Sequence, residues 1–235
     1  MFGIERIKQT KNKVITEPVN KVRSNCVIGF VGAQKTGKSS MQEEMARKWR
    51  SKRPLSNQIW GFDYQHVFKL RKDGGILDKE IHIGNPEWAV ECNQLRNGLL
   101  IADEIKLLSP LSQHNSKGMP ELFSQCFYRN VDLFWSCHNP SSTPDIVTHF
   151  TTHYFIFLTF AKEGSFRKKI PNYALCTEAS EEVNTYVSVF GKGKHRNDPE
   201  YKGEGFPHII VDTEKQKLIR QNMPHYDKVF PGKRI

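Results

Sequence analysis

No stretch of this sequence stays apolar for the roughly 18–20 residues that a membrane-spanning helix needs; runs such as YFIFL at 154–158 break off well short of it. Nor does an apolar segment follow the basic start MFGIERIKQTKNKV, so a secretory leader is not expected. Cysteines number five, at positions 26, 92, 126, 137 and 176, with no C-x-x-C pair among them. That pattern speaks against a zinc site or a disulfide frame and predicts reduced thiols, each a small buried hydrophobe, in a cytosolic chain. Internal repeats are missing, as is the N-K-x-D base-recognition motif of switch GTPases. Aromatic interleaving in the basic stretches is thin, which argues against single-strand stacking.

What is present points to one α/β domain. A chain of 235 residues, 37% hydrophobic and 26% charged, can bury one sizeable core but is short for two domains. The net charge of +10, from 35 Lys and Arg against 25 Asp and Glu, suits a polyanionic partner, nucleic acid foremost, or else general solubility. Residues 1–24 read as a basic N-terminal arm or added edge element. Residues 25–190 read as the core, and 191–235 as a loop and hairpin extension of the same domain.

Strand and helix signals alternate along the core. CVIGFV at 26–31 has the continuous apolar character of a strand buried on both faces. The helix SSMQEEMARKWR follows, with Met41, Met45 and Trp49 at i, i+4 and i+8 as its sheet-facing stripe. QIWGFDYQ predicts a second strand ending at Asp63. Residues 69–80 predict a loop or hairpin turning at Gly74 and Gly75, IHIGN a short strand, and PEWAVECNQLR a helix begun by Pro86. GLLIADE and VDLFWSCHNP are further central strands, separated by a helix at 119–130, and THYFIFLTF is a fifth strand after the short helix TPDIVTHF. SEEVNTYVSVF reads as helix and HIIVDTEKQKLIRQ as a hairpin. This order implies a mainly parallel sheet flanked by helices, with ligands at the carboxyl ends of its strands.

The loop GAQKTGKS at 32–39 fits G-x-x-x-x-G-K-[ST] in full and sits between a strand and a helix, the context that the pattern requires. Its backbone N–H groups would cradle phosphates through Gly32, Ala33, Gln34, Lys35, Thr36, Gly37, Lys38, Ser39 and Ser40. Lys38 would reach the β- and γ-phosphates and the Ser39 hydroxyl a magnesium ion. Lys35 is not at the second-position lysine of deviant loops, so the triphosphate falls to Lys38. LLIADE places Asp103 at a strand end as the second metal group, and Glu104 one residue on as general base. FWSCHNPSS puts His138 and Asn139 at the end of a strand expected beside the phosphate-loop strand. There they either contact the γ-phosphate or the attacking water, or make a plain Asn-Pro turn.

These three elements, with an Asp after the second strand at GFDY, resemble the FtsK/HerA clade of DNA-pumping ATPases. Within it the chain is most similar to the genome-packaging ATPases of tailless double-jelly-roll viruses, over residues 26–160. The resemblance implies a P-loop NTPase of RecA/FtsK-HerA type that hydrolyses ATP with Mg2+. It further implies a homo-oligomeric ring, a hexamer, with double-stranded DNA in its pore and a capsid vertex or portal-like protein as partner. The chain would then work in the host cytoplasm or at a packaging vertex. In the clade the third motif usually ends in Gln, and here His138 stands in its place while Asn139, Pro140 and Ser141 match. A clade Arg acts on the neighbouring subunit's nucleotide; Arg129 is the nearest residue here, about two positions closer to the sensor, or else a salt-bridging or DNA-facing Arg. DNA-facing candidates are Lys69, Arg71 and Lys72, then Arg167, Lys168 and Lys169, and Lys192, Lys194 and Arg196, each cluster alternatively a solvated face. Other readings are a filamentous-phage assembly ATPase of zonula-occludens-toxin type, a cellular relative in DNA transfer or repair, a slow nucleotide-dependent scaffold, and a small-molecule kinase.

Overall fold

The structure, a computed structural model, describes residues 4–10, 13–19, 26–63, 66–82, 87–108, 122, 126–138, 143–159, 172–191 and 205–233. Strands β1 (Ile4–Thr10) and β2 (Lys13–Val19) pair antiparallel in a sheet of their own, so the N-terminal arm is a two-stranded ribbon outside the main sheet. The main sheet has eight strands: β3 (Val27–Val31), β4 (Ile59–Phe62), β5 (Lys79–Glu80), β6 (Leu99–Ala102), β7 (Asp132–Cys137), β8 (His153–Ile156), β9 (His208–Asp212) and β10 (Lys217–Gln221). Their spatial order is β10-β9-β8-β3-β7-β6-β4-β5. The six from β8 to β5 run parallel, while β9 and β10 extend the β8 edge as an antiparallel hairpin.

Two apolar layers explain why β3, β6 and β7 are buried along their whole lengths. Ile28, Phe30, Leu99, Ile101 and Phe134 face one side and pack with Met41, Met45 and Trp49 of helix α1 (Lys38–Ser51), the stripe expected from the sequence. Within α1 the most buried positions are Lys38, Gln42 and Ala46, on the flank of that stripe. Val27, Val31, Leu100, Leu133, Trp135 and Cys137 face the other side. There they meet α2 (Trp88–Cys92), α3 (Asp145–Phe150), α4 (Tyr173–Phe190) and α5 (Tyr226–Val229). Gly29 lets the indole of Trp135 cross the neighbouring strand: a Cβ there would sit 2.3 Å from the ring.

At the amino ends of the strands one carboxylate ties three elements together. Asp132, 1% exposed, accepts a hydrogen bond from the Cys26 backbone N–H at 2.9 Å and another from Trp49 Nε1 at 2.6 Å. It thereby fixes the end of α1 over the junction of β3 and β7.

Of the loop or hairpin expected at 69–80 the structure shows the loop: a 3-10 turn (Arg71–Asp73) leads back to the amino end of the sheet, so β5 joins β4 in parallel. Two expectations change. The expected strand at 81–85 lies instead at Lys79–Glu80, with 83–85 outside the described residues. The helix expected from Pro86 is the single turn and a half of α2, and Pro86 itself lies outside the described residues, as does half of the segment 119–130. No helix among the described residues is long and apolar enough to cross a membrane.

Candidate active site

The phosphate loop leaves β3 at Val31 and is fixed by the strands on either side. Gly32 N–H donates to Cys137 O of β7 at 3.2 Å, and Ala33 N–H to Leu158 O just past β8 at 2.7 Å. Inside the loop the Thr36 hydroxyl donates to Ala33 O at 2.8 Å. Lys35 (φ 57) and Gly37 (φ 93) take the left-handed conformations that curl the chain into α1. Gln34 and Lys35 are exposed, Ser39 and Ser40 half-buried, and Lys38 buried. Gly37 is also required sterically, because a Cβ there would lie 2.2 Å from the ring of Phe206.

Lys38 Nζ donates to Gly32 O at 2.6 Å and Ala33 O at 2.8 Å, and reaches His138 Nδ1 at 2.9 Å. His138 Nδ1 also lies 3.3 Å from Gly32 O, and its Nε2 lies 2.8 Å from Glu104 Oε1. That contact is short but not aligned as a hydrogen bond, and Glu104 Oε2 is buried with no hydrogen-bond partner among the described residues. Lys106 Nζ stands 3.6 Å from it. A line of contacts thus runs from the loop lysine through an imidazole to a 3%-exposed carboxylate. β7 is hydrogen-bonded to β3, as expected, and on its other side to β6, so the ends of three adjacent strands supply the three groups.

Electrostatics follow from this packing. Burial raises the Glu104 pKa, against the opposing pull of His138 and Lys106. Burial likewise lowers the Lys38 pKa, with Glu104, Cys137 and Asp103 working the other way. Glu104 stands in the left-handed region at φ 51, ψ 61, uncommon for a residue with a Cβ, which marks it as a position held by its surroundings.

Asp103 is oriented by a residue that the sequence reading passed over. Ser136 Oγ donates to Asp103 Oδ1 at 2.7 Å and accepts from the Glu104 backbone N–H at 3.1 Å, so one hydroxyl sets both acids. A polar side chain inside an otherwise apolar buried strand was the available signal. Ser39 and Asp103 offer hard oxygen donors that suit Mg2+, an ion that keeps several waters and shares phosphate oxygens. Among the described residues there is no group of three or more His, Cys, Asp or Glu that could hold a metal alone. Asp63, 3% exposed, caps the turn after β4 by accepting from Val67 and Phe68 N–H at 2.8 and 2.6 Å.

Other expected residues stand elsewhere. Arg129 precedes β7 at the amino end, with the whole strand between it and His138, and lines a small pocket with Cys92, Leu95, Leu122 and Cys126. It does not join its own chain's phosphate loop. Lys69, Arg71 and Lys72 are exposed on the crossover to β5, with Arg71 3.5 Å from Asp78. Asn139, Pro140, Ser141, Arg167, Lys168, Lys169, Lys192, Lys194 and Arg196 lie outside the described residues.

Neither a protein-family model nor a curated protein matches the chain. Solved structures do. The genome packaging NTPase of Sulfolobus turreted icosahedral virus 2 in complex with AMP superposes at TM-score 0.54 and 14% identity, covering 85% of this chain and 98% of that one. The same NTPase in complex with AMPPCP gives 0.51 and 14%, covering 85% and 97%. The DNA-packaging ATPase of Sulfolobus turreted icosahedral virus gives 0.52 and 13%, covering 85% and 98%. The N-terminal domain of zonular occludens toxin from Neisseria meningitidis, at 0.40, is too distant to argue from. At these identities the likeness establishes the fold: that of a P-loop NTPase.

Proposed function

We propose that this chain is an ATP-hydrolysing DNA translocase that packages viral genomic DNA into a procapsid. The observation that carries the proposal is the convergence of Lys38, His138 and Glu104, with Asp103 beside them, at the carboxyl ends of adjacent parallel strands. A triphosphate held by the loop would place its γ-phosphate toward β7 and β6, where Glu104 takes a proton from the attacking water as the bond to ADP breaks. Bound Mg2+, held by Ser39 and Asp103, would neutralise phosphate charge. His138 touches both the phosphate-binding lysine and the base, which suits a residue that senses the γ-phosphate. The fold shared with viral packaging NTPases, and the net charge of +10, support DNA as the partner.

In this reading the chain acts as a homo-oligomeric ring, a hexamer, in the host cytoplasm or at a capsid vertex. Duplex DNA passes through the pore on phosphate contacts, and Arg129, remote from its own site, serves the neighbour's nucleotide. The test is ATP hydrolysis with and without duplex DNA, on wild type and on Lys38→Ala, Glu104→Gln and Arg129→Ala. DNA should stimulate wild type, Lys38→Ala and Glu104→Gln should lose turnover, and Arg129→Ala should be rescued in mixed rings by subunits that keep the arginine. Hydrolysis that DNA leaves unchanged would overturn the translocase reading in favour of a nucleotide-dependent scaffold.

A further inference from the structure

The loop has two sides, and the hydrolytic groups occupy only one. Asp103, Glu104 and His138 follow β6 and β7, all on the β7 side of β3. On the other side stand β8 and then β9, which runs antiparallel to β8 with Ile209 opposite Ile156. The amino end of β9 therefore returns to the edge of the sheet that carries the phosphate loop. Two residues before it comes Phe206, half-buried, its ring against Gly37 at the start of α1. A triphosphate whose γ end faces Glu104 must run its α-phosphate, ribose and base away from β7, toward this side.

Phe206 is firmly placed there. Its carbonyl accepts from His208 Nδ1 at 2.9 Å and from Asn222 Nδ2 at 3.3 Å, joining both strands of the terminal hairpin. His208, 2% exposed, is in turn stacked on Phe155 and Phe157 at 5.7 and 5.0 Å between centroids. An aromatic ring on a rigid backbone beside a phosphate cradle is the chemistry that receives a flat heterocycle, by stacking and apolar contact. We infer that Phe206 forms the wall of the nucleobase site, so that the C-terminal hairpin is part of the nucleotide-binding apparatus. This rests on the nucleotide reading of the loop given above.

The experiment compares equilibrium binding of Mg-ATP and of Mg-tripolyphosphate, which carries the phosphates without ribose or base, to the full chain and to Phe206→Ala and Phe206→Tyr. Loss of one base-stacking ring should weaken ATP about tenfold, leave tripolyphosphate unchanged, and be restored by Phe206→Tyr. Equal weakening of both ligands would mean that the ring merely props the loop at Gly37, and no change in either would mean that the base lies elsewhere; each overturns the inference while leaving the ATPase reading intact. A wild-type chain that binds neither ligand would remove the nucleotide reading itself.

Discussion

Glu104 combines burial, a left-handed backbone and a carboxylate oxygen without a hydrogen-bond partner among the described residues, three costs that a merely structural residue would not carry together. Replacing it with Gln should cut turnover by at least about a hundredfold while nucleotide binding persists, which phosphate-release kinetics and an ATP-binding titration would separate. Because burial raises its pKa, the base is protonated at a higher pH than an ordinary carboxyl. Turnover should therefore fall with acidity through a limb displaced upward from the ordinary carboxyl value, a limb read from the pH profile of kcat. Gln42 presents a different case: wholly buried on α1, it has neither amide atom hydrogen-bonded among the described residues. Gln42→Met should raise stability by about 1 kcal/mol, since an unsatisfied buried polar group costs about 1–3 kcal/mol, with ATP turnover unchanged. A drop in turnover would show instead that the amide serves the site.

Among the elements, the junction of α1, β3 and β7 hangs on Asp132. Asp132→Ala should destabilise the fold by about 3 kcal/mol, leaving the Cys26 N–H and the Trp49 indole without their charged acceptor; urea unfolding would read it. Elements of this kind were legible wherever burial alone decides them. VIGFV, LLIA and DLFWSC are buried along their whole lengths, and the loop pattern fixes what joins the first of them to α1. The pairing of β7 with β3 followed from motif order, and with it the nearness of His138 to the phosphate loop. β5 was misplaced because a crossover and not its own composition sets it: Lys79 and Glu80 are polar, and they join the sheet because the turn after Asp73 brings them there. Ser136 and Phe206 escaped for a related reason. Each matters through register with another strand, Ser136 opposite the end of β6 and Phe206 across β8, and register cannot be read along a single segment.

For the molecule as a whole, the antiparallel hairpin is bound to the helical layer by ion pairs. Glu182 of α4, 2% exposed, accepts two hydrogen bonds at 2.9 Å from Arg220 of β10 and one at 2.8 Å from Lys233. Burial alone would raise its pKa, but the bonds from Arg220 and Lys233 outweigh this and hold it below the ordinary value of 4.5. A depressed carboxylate stabilises the folded state above the unfolded-state pKa, and that contribution fades as pH falls through the lowered one. Glu182→Gln should thus lose stability at neutral pH and flatten the acid arm of the stability curve, as urea midpoints across pH would show. If DNA is the partner, its stimulation of hydrolysis should fall steeply between about 50 and 200 mM salt while basal turnover holds.

The central seat of β3 also sets the timetable of synthesis. The loop that opens the domain is braced by Cys137 and Leu158, more than a hundred residues further along the chain. Until β7 has left the ribosome VIGFV has no native strand neighbour, and until β8 follows it has one on a single side only; an unpaired apolar strand is the kind of segment that aggregates. The phosphate loop, first among the motifs to be translated, must be among the last to take shape, so fragments ending before β8 should express poorly and bind no nucleotide.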